Sequence, residues 1–360
     1  MKNVKPRIIA FYLPQFYPTP ENDLWWGKGF TEWTNVGKAK PLFKGHYQPR
    51  VPADLGYYDL RMPEVRVQQA ELAKEAGVEG FCYWHYWFAG RRLLDKVFTE
   101  VVQSGAPDFP FCLCWANHSW YQKTWDSNRP NKLLIEQTYP GKQDFIDHFN
   151  AMLPAFKDER YMKVNGMLIF GIFAPWDFPN YKLFIDTWNE LAKENGLNGF
   201  YFWGYALTKK QYQNYLSQGF NGIVFENILT PEKHSILKKI FIETKRRILK
   251  IPHLTEYDEY AKTVIKTYEV SEHIHPCIDP NFDHSPRSGK RGTILINSTP
   301  EKWGNLCSKI FERVSVRTSE NNLVFIKAWN EWGEGNYLEP DLQYGKQYLD
   351  ELKKAIDKLD

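Results

Sequence analysis

The chain has 360 residues, of which 43% are hydrophobic and 25% are charged, so it is long enough to bury a substantial core. Its formal net charge of +3 is too small to indicate a nucleic acid or an acidic partner. No apolar run approaches the roughly 20 residues of a membrane-spanning helix. The opening MKNVKPRIIAFYLPQFYP lacks the long apolar stretch of a signal peptide, so we expect a cytoplasmic location, or a periplasmic one if a signal was trimmed.

Short β-prone runs alternate with helical patterns from one end of the chain to the other. The predicted strands are residues 7–13, 80–86, 111–115, 167–173, 199–205, 222–225, 275–279 and 323–329. Strands that each feed a helix pair in parallel, and eight such units form a (β/α)8 TIM barrel of the α/β class, here as a single domain over residues 1–360. A doubly wound open sheet is the alternative, but no G-x-G-x-x-G follows the first strand.

Two long insertions interrupt this alternation, after the first and the sixth predicted strands. Residues 15–58 are rich in Trp, Gly and Pro, which is typical of a structured active-site loop. Residues 229–272 hold two helical patterns, and the first of them, at 231–250, is rich in Lys and Arg. We interpret that pattern as a solvated helix face, with membrane-surface or partner docking as the alternative.

Tryptophan is concentrated after the predicted strand ends, where the loops of a (β/α)8 barrel form the active site. Flat apolar rings beside polar side chains suit a sugar, which has apolar C–H faces and polar edges. Core or loop packing is the alternative for each ring. The candidate sugar-binding residues at these positions are Glu32, Trp33, Trp84, His85, Tyr86, Trp115, Asn117, His118, Trp120, Tyr205, Trp329, Asn330 and Trp332. The tryptophans at positions 25, 26, 87 and 125 are expected on the same rim.

Several polar candidates keep a structural alternative. His85 and His118 each follow a strand end, and either could be a half-buried histidine with satisfied hydrogen bonds. Glu32 could be a subsite residue or an anchor of its loop. Further contacts to sugar hydroxyls or to a carboxylate are predicted near the seventh strand, at Asn281, Asp283 and Arg287.

The same region contains an H-x-H, formed by His273 and His275. Such a pair can bind a catalytic metal, although usually at the first strand of a barrel and with further histidine partners. The five cysteines are odd in number and lack C-x-x-C spacing, so we expect buried reduced thiols. We therefore predict neither a metal nor a cofactor.

Two glutamates follow the last predicted strand in VFIKAWNEWGEGNYLEPD. Glycoside cleavage needs one carboxylic acid to protonate the leaving oxygen and a second carboxylate to assist on the other side. Glu331 and Glu334 fit these roles, since Gly333 lets the backbone turn so that both face a cleft. Burial and mutual repulsion should raise one pKa and leave the other carboxylate ionised. Glu339 is expected at the surface, because a proline and an aspartate follow it.

Four segments resemble the WbsX family, relatives of the family 99 glycoside hydrolases: FYLPQFYPTPENDLWWGKGFTEWTNV, CYWHYWF, WANHSW and AWNEWGEGNYLEPD. The resemblance covers nearly the whole chain and implies a (β/α)8 barrel that acts on cell-surface polysaccharide, as in O-antigen lipopolysaccharide or capsule. Family 99 enzymes are retaining endo-α-mannosidases and mannanases. By this resemblance Glu331 would deprotonate the sugar 2-hydroxyl to form a 1,2-anhydro sugar. Glu334 would protonate the leaving group and then activate water.

One departure bears on the substrate. Family 99 enzymes carry acidic residues after the third strand, where this chain has Trp115-Ala116-Asn117, so its substrate should differ from their mannan. We predict a retaining, endo-acting glycoside hydrolase of α-linked oligo- or polysaccharide. The alternatives are a glycosyltransferase or transglycosylase, and a carbohydrate-binding protein without turnover. No strand-end D-x-D or glycine-rich phosphate loop indicates a sugar nucleotide, and the intact acid pair argues against loss of turnover.

Overall fold

The structure is a computed structural model, and it describes residues 4–122, 131–206, 208–225, 252–268, 271–317 and 320–359. Trp125 and the basic helical pattern at 231–250 lie outside these residues. The strands are β1 (Arg7–Tyr12), β2 (Gly80–His85), β3 (Trp87–Phe88), β4 (Arg91–Arg92), β5 (Phe111–Trp115), β6 (Trp120–Gln122), β7 (Lys132–Ile135), β8 (Lys163–Val164), β9 (Met167–Ile172), β10 (Phe200–Ala206), β11 (Gly222–Phe225), β12 (His253–Glu256), β13 (Ile274–His275), β14 (Cys277–Ile278), β15 (Thr293–Ile296), β16 (Leu323–Ile326), β17 (Asn330–Glu331) and β18 (Asn336–Tyr337).

The helices alternate with the longer strands. They are α1 (Pro20–Trp26), α2 (Glu32–Lys38), α3 (Pro63–Glu75), α4 (Lys96–Ser104), α5 (Lys142–Phe156), α6 (Tyr181–Glu194), α7 (Lys209–Ser217), α8 (Tyr257–Thr267), α9 (Ser285–Ser288), α10 (Pro300–Val314) and α11 (Gln347–Asp357). Within the described ranges, no helix combines the length and the apolar character needed to cross a bilayer. The five cysteines are free and buried, as predicted.

Each predicted strand overlaps an observed one, and the last two differ most from their predictions. The seventh is divided into β13 and β14 at Pro276, which has no N–H for a ladder hydrogen bond. The eighth ends at Ile326, and the chain re-forms strand structure only in β17. The short hairpins β3–β4, β6–β7 and β17–β18 are not predicted, because strands of two to four residues are too short to show alternation.

By its internal packing the chain separates into two compact units. The first unit comprises Met1–Tyr17, Thr31–Phe81 and Phe225–Asp360, and the second comprises Pro18–Phe30 and Cys82–Val224. The prediction of a single domain stays a prediction.

In the first unit β16 lies between β1 and β14 and pairs in parallel with both, starting at Arg7↔Leu323 for β1. All four residues of β16 are buried, as expected for a parallel strand covered on both faces. Helices α10 and α11 pack together, and Trp303 Nε1 donates to the Tyr348 carbonyl at 3.1 Å. Strand β1 leads into the 15–58 segment that contains α2, and β16 leads into the segment that contains both predicted catalytic glutamates.

In the second unit β9 lies between β5 and β10, again in parallel. The core beside these strands is aromatic. Trp188 lies 4.4 Å from Phe184 and 4.7 Å from Phe170 between ring centroids, and its indole N–H donates to the Phe145 carbonyl at 2.9 Å. The indole hydrogen bond lets this polar group be buried without a desolvation penalty.

Candidate active site

The segment after β16 folds into a short antiparallel hairpin that carries both predicted catalytic glutamates. Strand β17 ends with Glu331, which pairs with Asn336 of β18, and a 3-10 turn at Trp332–Glu334 joins the two strands. The side chain of Asn330 attaches this hairpin to the end of β1. Its Oδ1 accepts the Leu13 backbone N–H at 2.7 Å, and its Nδ2 donates to the Leu13 carbonyl at 3.0 Å. Asn330 is thus engaged by protein backbone.

Two glycines let the turn approach its neighbours closely. A Cβ on Gly333 would lie 2.0 Å from Glu32 Oε2 and 2.9 Å from Arg287 Nε. Gly335 has a φ of +55°, in the left-handed region, and a Cβ there would lie 2.7 Å from the Cβ of Asp283. Gly333 therefore leaves space for an ionic cluster, whereas the sequence indicated only that the backbone could turn there.

Arg287 gathers three glutamate side chains around one guanidinium group. Its Nη2 donates to Glu331 Oε1 at 2.8 Å, its Nη1 to Glu334 Oε1 at 2.6 Å, and its Nε to Glu32 Oε2 at 3.1 Å. Arg287 belongs to α9 and Glu32 is the first residue of α2. A planar group with five N–H donors is suited to such bridging, and a lysine is not. Arg287 thus binds the protein's own carboxylates, and Glu32 is part of the same cluster.

The two hairpin glutamates have opposite pKa shifts. Burial raises the pKa of Glu331 to about 7, against the effect of Arg287. At Glu334 burial acts in the same direction, but nearby cations outweigh it and lower the pKa to about 2. Besides Arg287, the groups that lower the pKa of Glu334 are Lys327, with Nζ 3.8 Å from Glu334 Oε2, and the His284 ring, with Nε2 3.7 Å from Glu334 Oε1. One carboxyl therefore holds a proton at mildly acidic pH while the other is ionised, which is the division that the sequence predicted.

Glu339 is a third buried acid, so the surface position predicted for it is wrong. Its Oε2 accepts hydrogen bonds from the Trp332 indole N–H at 2.6 Å and from the Tyr58 hydroxyl at 2.9 Å. Its Oε1 accepts from Gln69 Nε2 at 2.6 Å. Burial raises the pKa of Glu339 to about 7, and these hydrogen bonds oppose the rise. The acid is buried because three donors from separate segments need its oxygens.

Asp283 is also held by protein donors rather than left open to a ligand. It accepts from His46 Nε2 at 2.7 Å and from Gln48 Nε2 at 2.6 Å. The Leu42 backbone N–H donates to His46 Nδ1 at 3.1 Å, so the other ring nitrogen carries the proton that reaches Asp283. Burial acts to raise the pKa of Asp283, but these donors and a nearby arginine hold it well below its usual range. The Asp283 backbone N–H donates to the Glu334 carbonyl at 2.6 Å, which supports the turn between the two glutamates.

The remaining candidates of the first unit are aromatic, apart from Asn281, whose Oδ1 accepts from Arg50 Nη1 at 2.5 Å. Trp332 stacks on the tyrosine of β18, with ring centroids 3.7 Å apart and planes 13° apart. Trp33 lies 5.5 Å from Trp332 between ring centroids. Trp329 and Trp332 are almost completely buried, whereas Trp33 is half-buried and keeps a surface that a sugar ring could contact.

In the second unit His85 and Trp115 end parallel strands inside the aromatic core. His85 Nε2 lies 2.7 Å from His148 Nε2. Burial lowers the pKa of His85 to about 3 and that of His148 well below its usual value, so both rings are neutral at neutral pH. Trp115 is fully buried and donates from Nε1 to the Trp87 carbonyl at 3.1 Å. These positions favour the structural alternative for both candidates.

Other candidates of the second unit contact protein as well. Asn117 Oδ1 accepts the Ala174 backbone N–H at 2.7 Å, and its Nδ2 donates to the Ala174 carbonyl at 3.0 Å and to the Tyr139 hydroxyl at 2.9 Å. Trp120 is half-buried, and its ring lies 5.0 Å from that of Tyr86 between centroids. Trp120 therefore keeps some accessible surface, and the side chain of Asn117 is engaged.

Three candidates of this unit come together around Phe173. The ring centroids of Trp84, His118 and Tyr205 lie 5.5, 5.3 and 5.2 Å from that of Phe173. Trp84 and Tyr205 are buried and His118 is half-buried. Burial lowers the pKa of His118.

The sequence profile described as Glycosyltransferase WbsX matches residues 8–352. The chain belongs to the WbsX family. A protein of Xanthomonas campestris pv. campestris, named Uncharacterized protein WxcX, is 35% identical to it over 361 residues, in each of two strains. The match covers 97% of this WbsX chain and 49% of the relative, so the chain spans about half the length of the curated relatives it matches.

Solved structures with a similar fold include a glycoside hydrolase-like protein, with a TM-score of 0.60 and 13% identity over 99% of this chain and 95% of that chain. A GH99 endo-alpha-mannosidase from Bacteroides thetaiotaomicron, in complex with BIS-TRIS-propane, has a TM-score of 0.56 and 14% identity over 98% and 97% of the two chains. At these identities the likeness shows the fold. This WbsX chain has the (β/α)8 barrel fold that the sequence predicted.

Some residues that support the two glutamates are not predicted from the sequence. Lys327 directly follows the buried residues of β16, and a cation at a strand end is a signal that could have paired it with the acids. His46 and Gln48 reach Asp283 from more than 230 positions away, and no local pattern indicates such a contact. In the second unit, the sequence likewise gives no sign that Phe173 packs against Trp84, His118 and Tyr205.

Proposed function

We propose that this WbsX chain is a retaining, endo-acting glycoside hydrolase-like enzyme for α-linked cell-surface oligo- or polysaccharide, with Glu331 and Glu334 as its catalytic pair. The observation that carries the proposal is that a buried and a half-buried glutamate of one hairpin, Glu331 and Glu334, share the guanidinium of Arg287 and have opposite pKa shifts. Glycoside cleavage needs one protonated and one ionised carboxyl. The fold that the chain shares with an endo-alpha-mannosidase supports a glycan as the class of substrate.

Two assignments of acid and base are open within the pair, because either glutamate could protonate the leaving group. The resemblance to family 99 implies Glu331 as the base and Glu334 as the acid. In this structure Glu331 instead has the higher pKa of the two, because burial raises it, whereas Lys327 and Arg287 lower the pKa of Glu334. A substrate that separates Arg287 from Glu334 would raise the pKa of Glu334 and favour the implied order. The two orders predict different kinetics.

The primary test is a screen for cleavage of defined glycans from the host's own surface polysaccharide. In the active reaction, Glu331→Gln and Glu334→Gln should each lower kcat/KM by about 1000-fold or more, since each removes a group that acts in the transition state. The matched control is Glu190→Gln on the exposed face of α6, which should leave activity unchanged. Near-normal activity in either hairpin variant would refute the pair as catalytic. The anomer released first, measured by NMR, tests retention.

Leaving-group dependence separates the two orders. The variant that lacks the acid should lose activity on natural glycans and lose less on activated aryl glycosides, whose leaving group departs without protonation. The variant that lacks the base should lose activity on both substrate classes. If Glu334→Gln keeps more activity on aryl glycosides than on natural glycans, Glu334 is the acid, as the resemblance implies. If Glu331→Gln does so instead, Glu331, the glutamate with the higher pKa in this structure, is the acid.

A glycosyltransferase or transglycosylase of O-antigen or capsule synthesis is the second candidate, because the family is described as glycosyltransferases. Attack by a sugar hydroxyl in place of water could use the same two carboxyls. Incubation with donor glycan and acceptor oligosaccharide, followed by mass spectrometry, distinguishes transfer from hydrolysis. Binding of sugar nucleotides in calorimetry would favour a nucleotide-dependent transferase, and glycan binding without any bond change would favour a binding protein. The cytoplasmic location expected from the sequence stays a prediction.

A further inference from the structure

We propose that Glu339 is a positioning residue for the Glu331–Glu334 pair and acts through the indole of Trp332. The inference rests on the proposed function of that pair. Trp332 begins the 3-10 turn between the two glutamates, and the Glu339 carboxylate accepts the hydrogen bond of its indole N–H at 2.6 Å.

Two contacts restrain the Trp332 side chain in different directions. Stacking on Tyr337, with centroids 3.7 Å apart and planes 13° apart, restrains the tilt of the ring. The hydrogen bond to Glu339 restrains rotation of the ring within its own plane. Because Trp332 is 1% exposed, its ring cannot turn without moving the backbone that carries it. That backbone connects directly to Glu331 and, through Gly333, to Glu334.

The carboxylate of Glu339 is itself fixed by further donors. The Tyr58 hydroxyl donates to Oε2 at 2.9 Å and Gln69 Nε2 donates to Oε1 at 2.6 Å. The Tyr12 hydroxyl donates to Gln69 Oε1 at 2.7 Å, which sets the orientation of that amide. Hydrogen bonds therefore connect Tyr12 of β1 and Gln69 of α3, through Glu339, to Trp332 in the turn between the glutamates.

A merely structural role would predict a different outcome. Loss of a buried hydrogen-bonded carboxyl would then lower the stability of the fold and leave the chemistry of the folded protein unchanged. A positioning role predicts a loss in kcat at a temperature where the variant is folded, because small misplacement of catalytic groups slows the chemical step. KM should change little, since Glu339 binds the Trp332 indole and is not one of the three glutamates that Arg287 bridges.

The test uses three single variants of the full chain. Glu339→Leu removes all three acceptor bonds. Glu339→Gln keeps an oxygen for Trp332 and Tyr58. When the Gln69 amide turns to accept the new N–H, the Tyr12 hydroxyl can rotate so that its oxygen accepts from Gln69 Nε2. Tyr58→Phe is the matched control, because it removes one donor to Glu339 and leaves the Trp332 indole in place. It also removes the hydroxyl that Asn330 Nδ2 contacts at 3.4 Å. Each variant is assayed for kcat and KM on the cleaved glycan. Each is also labelled with 5-fluorotryptophan for 19F NMR, with the Trp332 signal assigned by its absence in Trp332→Phe.

We expect Glu339→Leu to lower kcat about 100-fold with KM within about threefold, and to shift or broaden the Trp332 signal. Glu339→Gln and Tyr58→Phe should stay within about fivefold of the wild-type kcat and keep the signal position. Wild-type kcat in Glu339→Leu, or an equal kcat loss in Tyr58→Phe, would overturn the proposal. The 19F signal keeps the two hypotheses apart: a shifted signal in a protein whose Glu331→Gln variant is fully active would refute the catalytic pair and retain the Glu339–Trp332 contact.

If Glu339→Leu does not fold, Trp332→Phe tests the same contact from the other side, because it removes the indole donor and keeps a ring to stack on Tyr337. We expect it to lower kcat by at least about tenfold, and we expect the double variant Trp332→Phe/Glu339→Gln to show no further loss. Additive losses in the double variant, or a wild-type kcat in Trp332→Phe, would show that Glu339 does not act through Trp332.

Discussion

Asn330 in the first unit and Asn117 in the second make the same pair of hydrogen bonds. Each follows a buried strand and clamps the N–H and C=O of one backbone residue, Leu13 for Asn330 and Ala174 for Asn117, at 2.7 and 3.0 Å. Beyond this shared feature the two strand ends differ. Asn330 is followed by Glu331, a buried carboxyl that binds the Arg287 guanidinium. Asn117 is preceded by a strand that ends in Trp115, whose indole packs in an aromatic core.

Two buried acids of the first unit and two buried histidines of the second have pKa shifts of opposite sign. The first unit holds Glu331 and Glu339, whose pKa values burial raises to about 7. The second holds His85 and His148, whose pKa values burial lowers, to about 3 for His85. In each case burial favours the neutral form. In the first unit an ionised acid stays beside a neutral one, because Lys327 and Arg287 stabilise the charged form of Glu334. Acid–base chemistry requires that combination of a neutral and an ionised carboxyl. In the second unit, polar and aromatic residues at strand ends, such as His85 and Trp115, are buried in the core instead.

The largest expected effect comes from removing the guanidinium of Arg287, which bridges three glutamates in the first unit. Arg287→Met leaves Glu32 buried without this guanidinium and leaves Glu334 with only its weaker contact to Lys327 at 3.8 Å and the His284 ring, so we expect a loss of about 3–5 kcal/mol in the free energy of unfolding at pH 7.5. Without the guanidinium the folded-state pKa of Glu334 should rise, and the loss should shrink at pH 5 as Glu334 takes up a proton. Urea denaturation at both pH values measures it. Arg287→Lys, which keeps the charge without the fork, should lose less. An equal loss at both pH values would show that the charges of the cluster do not cause it.

A loss of similar size is expected from an uncharged strand end in the second unit. Trp115→Ala should lower the free energy of unfolding by about 3–5 kcal/mol, because the ring is fully buried and leaves a cavity. The matched control is Trp176→Ala in the same unit, where the ring is 37% exposed and a change within about 1 kcal/mol is expected. Denaturant unfolding measures both. A Trp115→Ala protein of normal stability that binds glycan more weakly would reverse this interpretation and return Trp115 to the sugar-binding surface.

The sequence predicts the strands, and it predicts that Glu331 and Glu334 lie together, because both signals are local; the catalytic role of the two glutamates stays a prediction. Apolar runs bounded by helical patterns identify the strands of the sheets, and Glu331 and Glu334 stand three residues apart after the last of them. Glu339 is misplaced because its burial depends on Tyr58 and Gln69, some 270 or more positions away in the chain.

The aromatic candidates separate for a related reason. Trp33 and Trp115 look alike in the sequence, since each follows or ends a β-prone run and has polar neighbours. Whether an indole lies on a surface or in a core depends on residues brought up by other strands and helices, such as Phe178 and Phe184 against Trp115. Short-range pattern contains no information about those partners.

The next prediction concerns pH dependence in the first unit. The pKa of Glu331 is about 7 in the folded protein, above its ordinary value of 4.5. The stability that comes from its neutral form is therefore fully present below pH 4.5 and is lost as pH rises through 7. By pH 8 the wild-type protein should have lost about 3 kcal/mol from this group. Glu331→Gln, which cannot ionise, should keep that stability, so its unfolding free energy relative to wild type should increase from pH 4.5 to 8. The control Glu190→Gln should run parallel to wild type. A constant difference between Glu331→Gln and wild type would mean that Glu331 ionises normally in the fold.

The second unit should show the opposite sign with a smaller effect. His85 is neutral in the folded protein, with a pKa of about 3 against an ordinary value of 6.5, so unfolding takes up a proton below pH 6.5. Stability from this group is present above pH 6.5 and is lost as pH falls, by about 2 kcal/mol at pH 5. His85→Gln can keep a hydrogen bond to His148 without this protonation, so its unfolding free energy relative to wild type should increase from pH 7.5 to 5. Exposed His273→Gln is the control and should follow wild type. Urea denaturation across this range gives the slopes. Parallel slopes for His85→Gln and wild type would show that burial does not hold His85 neutral. Opposite slopes for Glu331→Gln and His85→Gln would support both burial effects, because a shared cause such as general acid expansion would change the two variants in the same direction.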